Sequence, residues 1–170
     1  ATLEEAVRIS NWSAPRPEGR GKGVAFLERS GTLSTGICEI SVDRNTGKIK
    51  VHHFWSAHDA GIVIQPANVK AQIEGGILMG IGSVLTERIT IIDGEVQQSN
   101  FNDYHILRME DIPDSVETAL IASDSSPQGV GESGTPLVAC AIANAFLNLT
   151  GKRLRHMPFT PERVLSVLKQ

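Results

Sequence analysis

Glu132 sits among glycines in Gly129-Val130-Gly131-Glu132-Ser133-Gly134, and a helix-start signature follows at Thr135-Pro136. A negative charge placed just before a helix N-terminus is stabilised by about 0.3–1 kcal/mol. A carboxylate aimed into a cleft from such a loop is suited to general-base work. The flanking glycines let the backbone approach a bound group that a side chain would obstruct. A plainer alternative stays open, in which Glu132 is a solvated loop residue capping the next helix. The same six residues also spell G-x-G-x-x-G, the turn that cradles dinucleotide phosphates. Three features weaken that reading. Ser123–Gln128 separates the glycines from the preceding strand candidate, and Lys152–His156 is basic where an acidic ribose ligand belongs. The flanks also do not read as a βαβ unit.

A second constellation lies at 66–87. Val69, Ile73, Ile77, Ile81 and Leu85 recur every four residues, and Pro66 suits a first helical turn. This helix carries Gly75, Gly76, Gly80 and Gly82. Each interior glycine costs about 0.5–1 kcal/mol relative to alanine, so the set needs a reason. Gln72, Gly75, Gly76, Met79 and Ser83 fall in a line beside the apolar ridge, nearly bare of side chains. Two uses fit that bare line. A planar group could lie on it, with the Gln72 amide offering donor and acceptor, or another backbone could pack there.

Other reactive residues read more simply. His52, His53 and His58 suggest a metal site, but strand alternation puts His52 and His53 on opposite faces, so they read as strand and turn residues. Lys152, Arg153 and Arg155 read as a solvated helix exit, with contact to a cofactor phosphate or partner subunit as the alternative. Cys38 and Cys140 lie in separate apolar stretches and read as buried, inert thiols.

The elements that must position these residues are mostly strands and four helices. Thr2 and Glu5 form a capping-box pattern ahead of a short helix, and Ser13–Gly23, with two prolines and three glycines, reads as a loop. Strand signals run from Val24 to Ala60. Asn45-Thr46-Gly47 makes a turn inside them, followed by Ile49, Val51, His53 and Trp55 in alternation. Asp93-Gly94 marks a hairpin between Arg88–Ile92 and Glu95–Gln98, and Val116–Ala122 is a further strand. A helix from Thr135 stops naturally at Gly151, and a last one runs from Pro161 to Leu168. The fold class is α+β, a mixed, largely antiparallel sheet packed with helices.

Bulk properties bound the function. The 170 residues suit one domain, and 41% apolar with 21% charged residues excludes disorder and coiled coil. A formal charge of -3, with no basic run between aromatics, gives no nucleic-acid footprint. Leu137–Leu149 is the longest strongly apolar stretch and is too short to span a bilayer. Two distant cysteines exclude a disulfide framework and a 2Fe–2S site. The chain opens on Ala1 with no initiator methionine and no signal-peptide pattern, and is expected to be a piece of something longer.

Several motifs together carry a family resemblance. Gln72-Ile73-Glu74-Gly75-Gly76 followed by Gly80-Ile81-Gly82, with Asp59-Ala60-Gly61 and Gln65-Pro66 ahead of it, resembles the cofactor-side helix of molybdenum hydroxylase large subunits. This is the xanthine oxidase/aldehyde oxidase family. Asn100-Phe101-Asn102-Asp103-Tyr104 is similar to its N-F-x-D-Y segment, and Gly129-Val130-Gly131-Glu132 to its G-x-G-E loop. Ala143-Asn144-Ala145 and Thr150-Gly151-Lys152-Arg153 resemble its closing helix and exit, in detail like the bacterial isoquinoline 1-oxidoreductase-type β subunits.

The resemblance implies that residues 23–170 are a molybdopterin-binding segment, preceded by a helix and linker at 1–22. It implies a pyranopterin, molybdopterin cytosine dinucleotide or similar, bound by Gln72, Gly75, Gly76, Gly129, Val130 and Gly131. Glu132 is then the base that takes a proton at the molybdenum centre, and no metal ligand comes from this chain. The implied partners are the remaining part of the molybdenum subunit, a subunit carrying 2Fe–2S clusters, and a small-molecule substrate such as an N-heterocycle or aldehyde. Relatives are several times longer, so the chain is expected to be a fragment, or a small subunit completed by a partner. Catalysis by it alone is not expected.

Overall fold

Three long β-rich segments and one short one build the sheet in the computed structural model, which describes residues 1–170. After α1 (Thr2–Ile9) come β1 (Arg20–Arg29), β2 (Thr32–Val42) and β3 (Ile49–Asp59), then α2 (Pro66–Leu85). Two-residue strands β4 (Ile91–Ile92) and β5 (Glu95–Val96) form a separate hairpin, before β6 (Ser115–Leu120), α3 (Thr135–Thr150) and α4 (Pro161–Leu168). The main sheet has the order β1-β2-β3-β6. Its first two pairings are antiparallel and β3–β6 is parallel. The fold is therefore α+β with a mixed sheet, as the sequence pattern predicts.

Period-two alternation sends the sheet's side chains to two helical layers. Ala25, Cys38, Ile40, Val51 and Phe54 join Ile73, Ile77 and Ile81 of α2 and Leu137, Val138 and Phe146 of α3 in the main core. Each fully buried isoleucine or phenylalanine contributes about 1.5–3 kcal/mol. Ile37, Trp55 and Ala57 face the other way and pack under Ala6 of α1. Lys22 ties this side together, its Nζ donating to the Ser10 carbonyl at 2.8 Å and standing 5.0 Å from the Trp55 ring centroid.

The register corrects two sequence expectations. Glu39 pairs with His53 but Ile40 pairs with Val51, so His52 is the extra residue of a β-bulge. Ile49 and Val51 thus face the main core while Trp55 faces α1. The bulge also puts both histidines on the α1 side. His53 stacks on Trp55 with centroids 5.2 Å apart, and His52 Nε2 lies 2.8 Å from Ser41 Oγ.

Other boundaries shift for local reasons. β1 already starts at Arg20, inside the segment that reads as a loop, because its glycines serve close packing. A Cβ on Gly23 would stand 2.1 Å from the Ala145 nitrogen of α3. Thr2 lies within α1 rather than capping it, and its hydroxyl accepts from Thr35 Oγ1 at 3.0 Å. The Asp93-Gly94 turn is present, both residues at positive φ, but its ladder is shorter than the flanking pattern suggests. Cys38 is buried, which pushes its thiol pKa up, whereas Cys140 is exposed on α3.

Candidate functional site

The α2 N-terminus is set by Gln65, whose side chain accepts from the Ala67 amide at 3.3 Å, with Pro66 in the first turn. From that start, Ile73, Ile77 and Ile81 point into the core and are at most 1% exposed. The opposite edge of the ridge, with Gln72, Gly75 and Met79, is left facing out. The glycines on this helix differ in what they meet. A Cβ on Gly80 would stand 2.9 Å from Val138 Cγ2 and 3.0 Å from the Thr135 carbonyl oxygen, so Gly80 serves helix packing. A Cβ on Gly75 would meet nothing within 4 Å, so its bareness opens space instead.

Opposite that bare line runs the loop 129–134. Gly134 brings it against α2, since a Cβ there would stand 2.5 Å from the Ile73 carbonyl oxygen. Thr135 Oγ1 donates to the Gly76 carbonyl at 3.0 Å, and Gln72 Nε2 donates to the Gly131 carbonyl at 2.8 Å. Between helix and loop lies a cleft of about 740 Å³ lined by Gln72, Gly75, Gly76, Met79, Gly131, Glu132 and Arg29. That volume lies in the usual range for small-molecule sites. Gly129 and Val130 do not line it. Gly129 faces the β1–β2 turn instead, its carbonyl accepting from Thr32 Oγ1 at 2.8 Å.

Glu132 itself does not cap α3. The N-cap of that helix is Gly134, with no side-chain cap. Its carboxylate is exposed and forms an ion pair with Arg29 at the end of β1. Arg29 is the charged residue of this cleft that sequence reasoning misses. The Ser30-Gly31 dipeptide between two strand runs was the available signal, because it marks a hairpin beside Arg29.

Deeper in the sheet, His58 is fully buried. Its Nδ1 lies 2.8 Å from Ser34 Oγ, while Nε2 has no partner. Burial pulls its pKa down to about 4, so the ring is neutral near pH 7. His52, His53 and His58 each bond a different serine and do not converge. Lys152 Nζ donates to the Leu168 carbonyl at 2.7 Å and so closes the end of α4. The Asn100–Tyr104 segment is a built turn away from the cleft. Asp103 accepts from the Ser99 and Asn100 amides, and Tyr104 donates to Glu87 at 2.8 Å.

Comparison with known proteins gives the family of the chain. Residues 6–113 match the family model of a molybdopterin cofactor-binding domain. The chain belongs to the molybdenum hydroxylase family. It is 36% identical over 164 residues to the isoquinoline 1-oxidoreductase β subunit of Brevundimonas diminuta, covering 95% of this chain and 21% of that one. It is also 36% identical to the membrane-bound aldehyde dehydrogenase (pyrroloquinoline-quinone) of Gluconacetobacter polyoxogenes, covering 98% of this chain and 22% of that protein. Crystalline quinoline 2-oxidoreductase from Pseudomonas putida 86 superposes with a TM-score of 0.76 at 25% identity, over 82% of this chain and 19% of that one. The chain thus spans about a fifth of the length of these molybdenum hydroxylase relatives. No helix is long and apolar enough to cross a membrane.

Proposed function

We propose that this chain forms one wall of the cofactor cleft in a molybdenum hydroxylase large subunit, with Glu132 as the proton acceptor. The observation that carries the proposal is the meeting of Gln72, the open Gly75 face and Glu132 on a single cleft, from segments far apart in the chain.

The residues fit the group that the family implies. Gly75 and Gly131 have nothing within 4 Å of where a Cβ would stand, which leaves an open surface suited to a flat pterin ring. Gln72 spends its Nε2 on the Gly131 carbonyl, and its Oε1 remains free to accept from a ring N–H. The α3 N-terminus brings positive potential to the same cleft, which suits a phosphate-bearing form such as molybdopterin cytosine dinucleotide.

When bound, the cofactor supplies the oxidising centre for inserting a water-derived oxygen into a C–H bond of an N-heterocycle or aldehyde. The chain's own part is to bind and to move one proton. Glu132 accepts the proton of the attacking oxygen, Gln72 orients the ring, and the bare glycines exclude side chains from its face. In this reading a partner subunit would carry the 2Fe–2S clusters that accept electrons, and the remaining part of the molybdenum subunit would close the cleft. The test uses the full-length, assembled protein. Near-stoichiometric molybdenum and anaerobic reduction by a nitrogen heterocycle or aldehyde are expected. Protein that carries no molybdenum, or holds pyrroloquinoline quinone instead, overturns the proposal.

A further inference from the structure

We propose that Arg29 is a positioning residue for Glu132, an inference that rests on Glu132 being the proton acceptor. Three observations converge on it. Arg29 ends β1 and Thr32 starts β2, with Ser30 at φ 51° and Gly31 at φ 80° between them. Both turn residues are left-handed, the geometry that folds a strand back within two residues. A serine rarely adopts it, so this turn is held in place by its surroundings.

Those surroundings are the loop that carries Glu132. The Gly129 amide donates to the Ser30 carbonyl at 3.3 Å, and Thr32 Oγ1 donates to the Gly129 carbonyl at 2.8 Å. A Cβ on Gly31 would stand 2.2 Å from the Gln128 side chain, so the two loops touch closely. The third observation is the ion pair. Arg29 engages Oε2 of Glu132, and no other side chain bonds that carboxylate.

Glu132 lies between the ties at Gly131 and Thr135, and its exposed side chain alone would sample several rotamers. A guanidinium anchored on a rigid hairpin holds one carboxylate oxygen and leaves Oε1 to accept a proton. Arginine's planar fork fixes direction as well as distance. Arg29 touches no reacting atom in this scheme and works only through Glu132.

The test compares Arg29→Gln, Arg29→Lys, Glu132→Gln and the double variant Arg29→Gln/Glu132→Gln in the assembled enzyme. Arg29→Gln is expected to lower kcat about 10²-fold, as a misplacement near 1 Å does, with KM and molybdenum content little changed. In the Glu132→Gln background the same substitution is expected to change nothing further, because it acts through the missing carboxylate. Amide hydrogen exchange at Gly131–Ser133 should rise several-fold in Arg29→Gln, with Arg29→Lys between it and the native protein. Native turnover and native exchange in Arg29→Gln overturn the inference. So does an equal further loss in the Glu132→Gln background. Native turnover in Glu132→Gln overturns the proton-acceptor reading and this inference with it, whereas collapse there beside an unaffected Arg29→Gln overturns this one alone.

Discussion

Gln72 Nε2 lies 2.8 Å from the carbonyl oxygen of Gly131, so α2 grips the loop at the peptide directly before Glu132. A residue that reads from sequence as a cofactor contact is at the same time a support for the loop that carries the proposed base, Glu132. Its two amide ends divide the work, since the nitrogen holds the loop and the oxygen is left for a ligand.

On the proposed function, Gln72→Ala removes two interactions at once, the bond to Gly131 and the one offered to the cofactor. Each hydrogen bond of this kind contributes about 0.5–1.5 kcal/mol. Molybdenum occupancy of the assembled enzyme should fall several-fold, and the rate per bound molybdenum should fall as well. A variant that lost occupancy but kept its rate per molybdenum would show that the Gly131 contact does not position Glu132. Metal analysis beside anaerobic reduction kinetics separates the two effects.

The glycines of α2 predict opposite outcomes at two positions on one helix. Gly75→Ala meets no atom within 4 Å and gains about 0.5–1 kcal/mol of helix stability. Its thermal midpoint should rise, while molybdenum content falls because a methyl group enters the cleft. Gly80→Ala puts a Cβ 3.0 Å from the Thr135 carbonyl oxygen and should cost about 1–3 kcal/mol by overpacking. Thermal melts of the two variants give the signs directly. Destabilisation by Gly75→Ala would mean that another element covers this face.

Much of this was legible in the chain. Ile73, Ile77 and Ile81 marked the buried ridge of α2, and Pro136 with Gly151 bounded α3 almost to the residue. What escaped has a common physical origin. The bulge at His52 depends on which β2 residues lie opposite, and a single strand's alternation carries no record of its partner. The ion pair of Arg29 with Glu132 joins residues 103 positions apart, beyond any local pattern. Glycine composition showed that α2 approaches something closely. Only the packing of Gly80 on Val138, against the open side of Gly75, divides helix contact from open space.

His58 gives the fold a pH dependence of known sign. Burial lowers its pKa in the folded chain to about 4, whereas the unfolded imidazole titrates near its ordinary value of 6.5. Between those limits the unfolded state binds more protons, so stability falls as pH drops from about 6.5 to about 4 and the loss is complete below that. The full span is on the order of 3 kcal/mol. His52, whose pKa burial also lowers despite the nearby Asp114, adds to the trend with the same sign. Unfolding midpoints measured across this window should drop on the acid side, and His58→Gln should flatten the slope even though it weakens the fold at pH 7. An unchanged slope in that variant would assign the acid sensitivity elsewhere.

Glu132→Gln is the substitution on which the proposed chemistry turns. The amide keeps the size of the side chain and can still accept a hydrogen bond from Arg29, so the loop's ties to Gln72 and Thr32 should survive. A helix-capping role is already excluded by the geometry, because α3 starts at Gly134 without a side-chain cap. What the glutamine cannot do is take up a proton. Loss of a general base costs about 10²–10⁴-fold, and the larger end is expected here because the attacking oxygen is a poor nucleophile until it is deprotonated. Molybdenum content and thermal midpoint should stay near those of the native protein. The measurement is the rate of anaerobic reduction by substrate, normalised to bound molybdenum. A native rate at equal molybdenum would take Glu132 out of the reaction and leave the cleft a binding surface only.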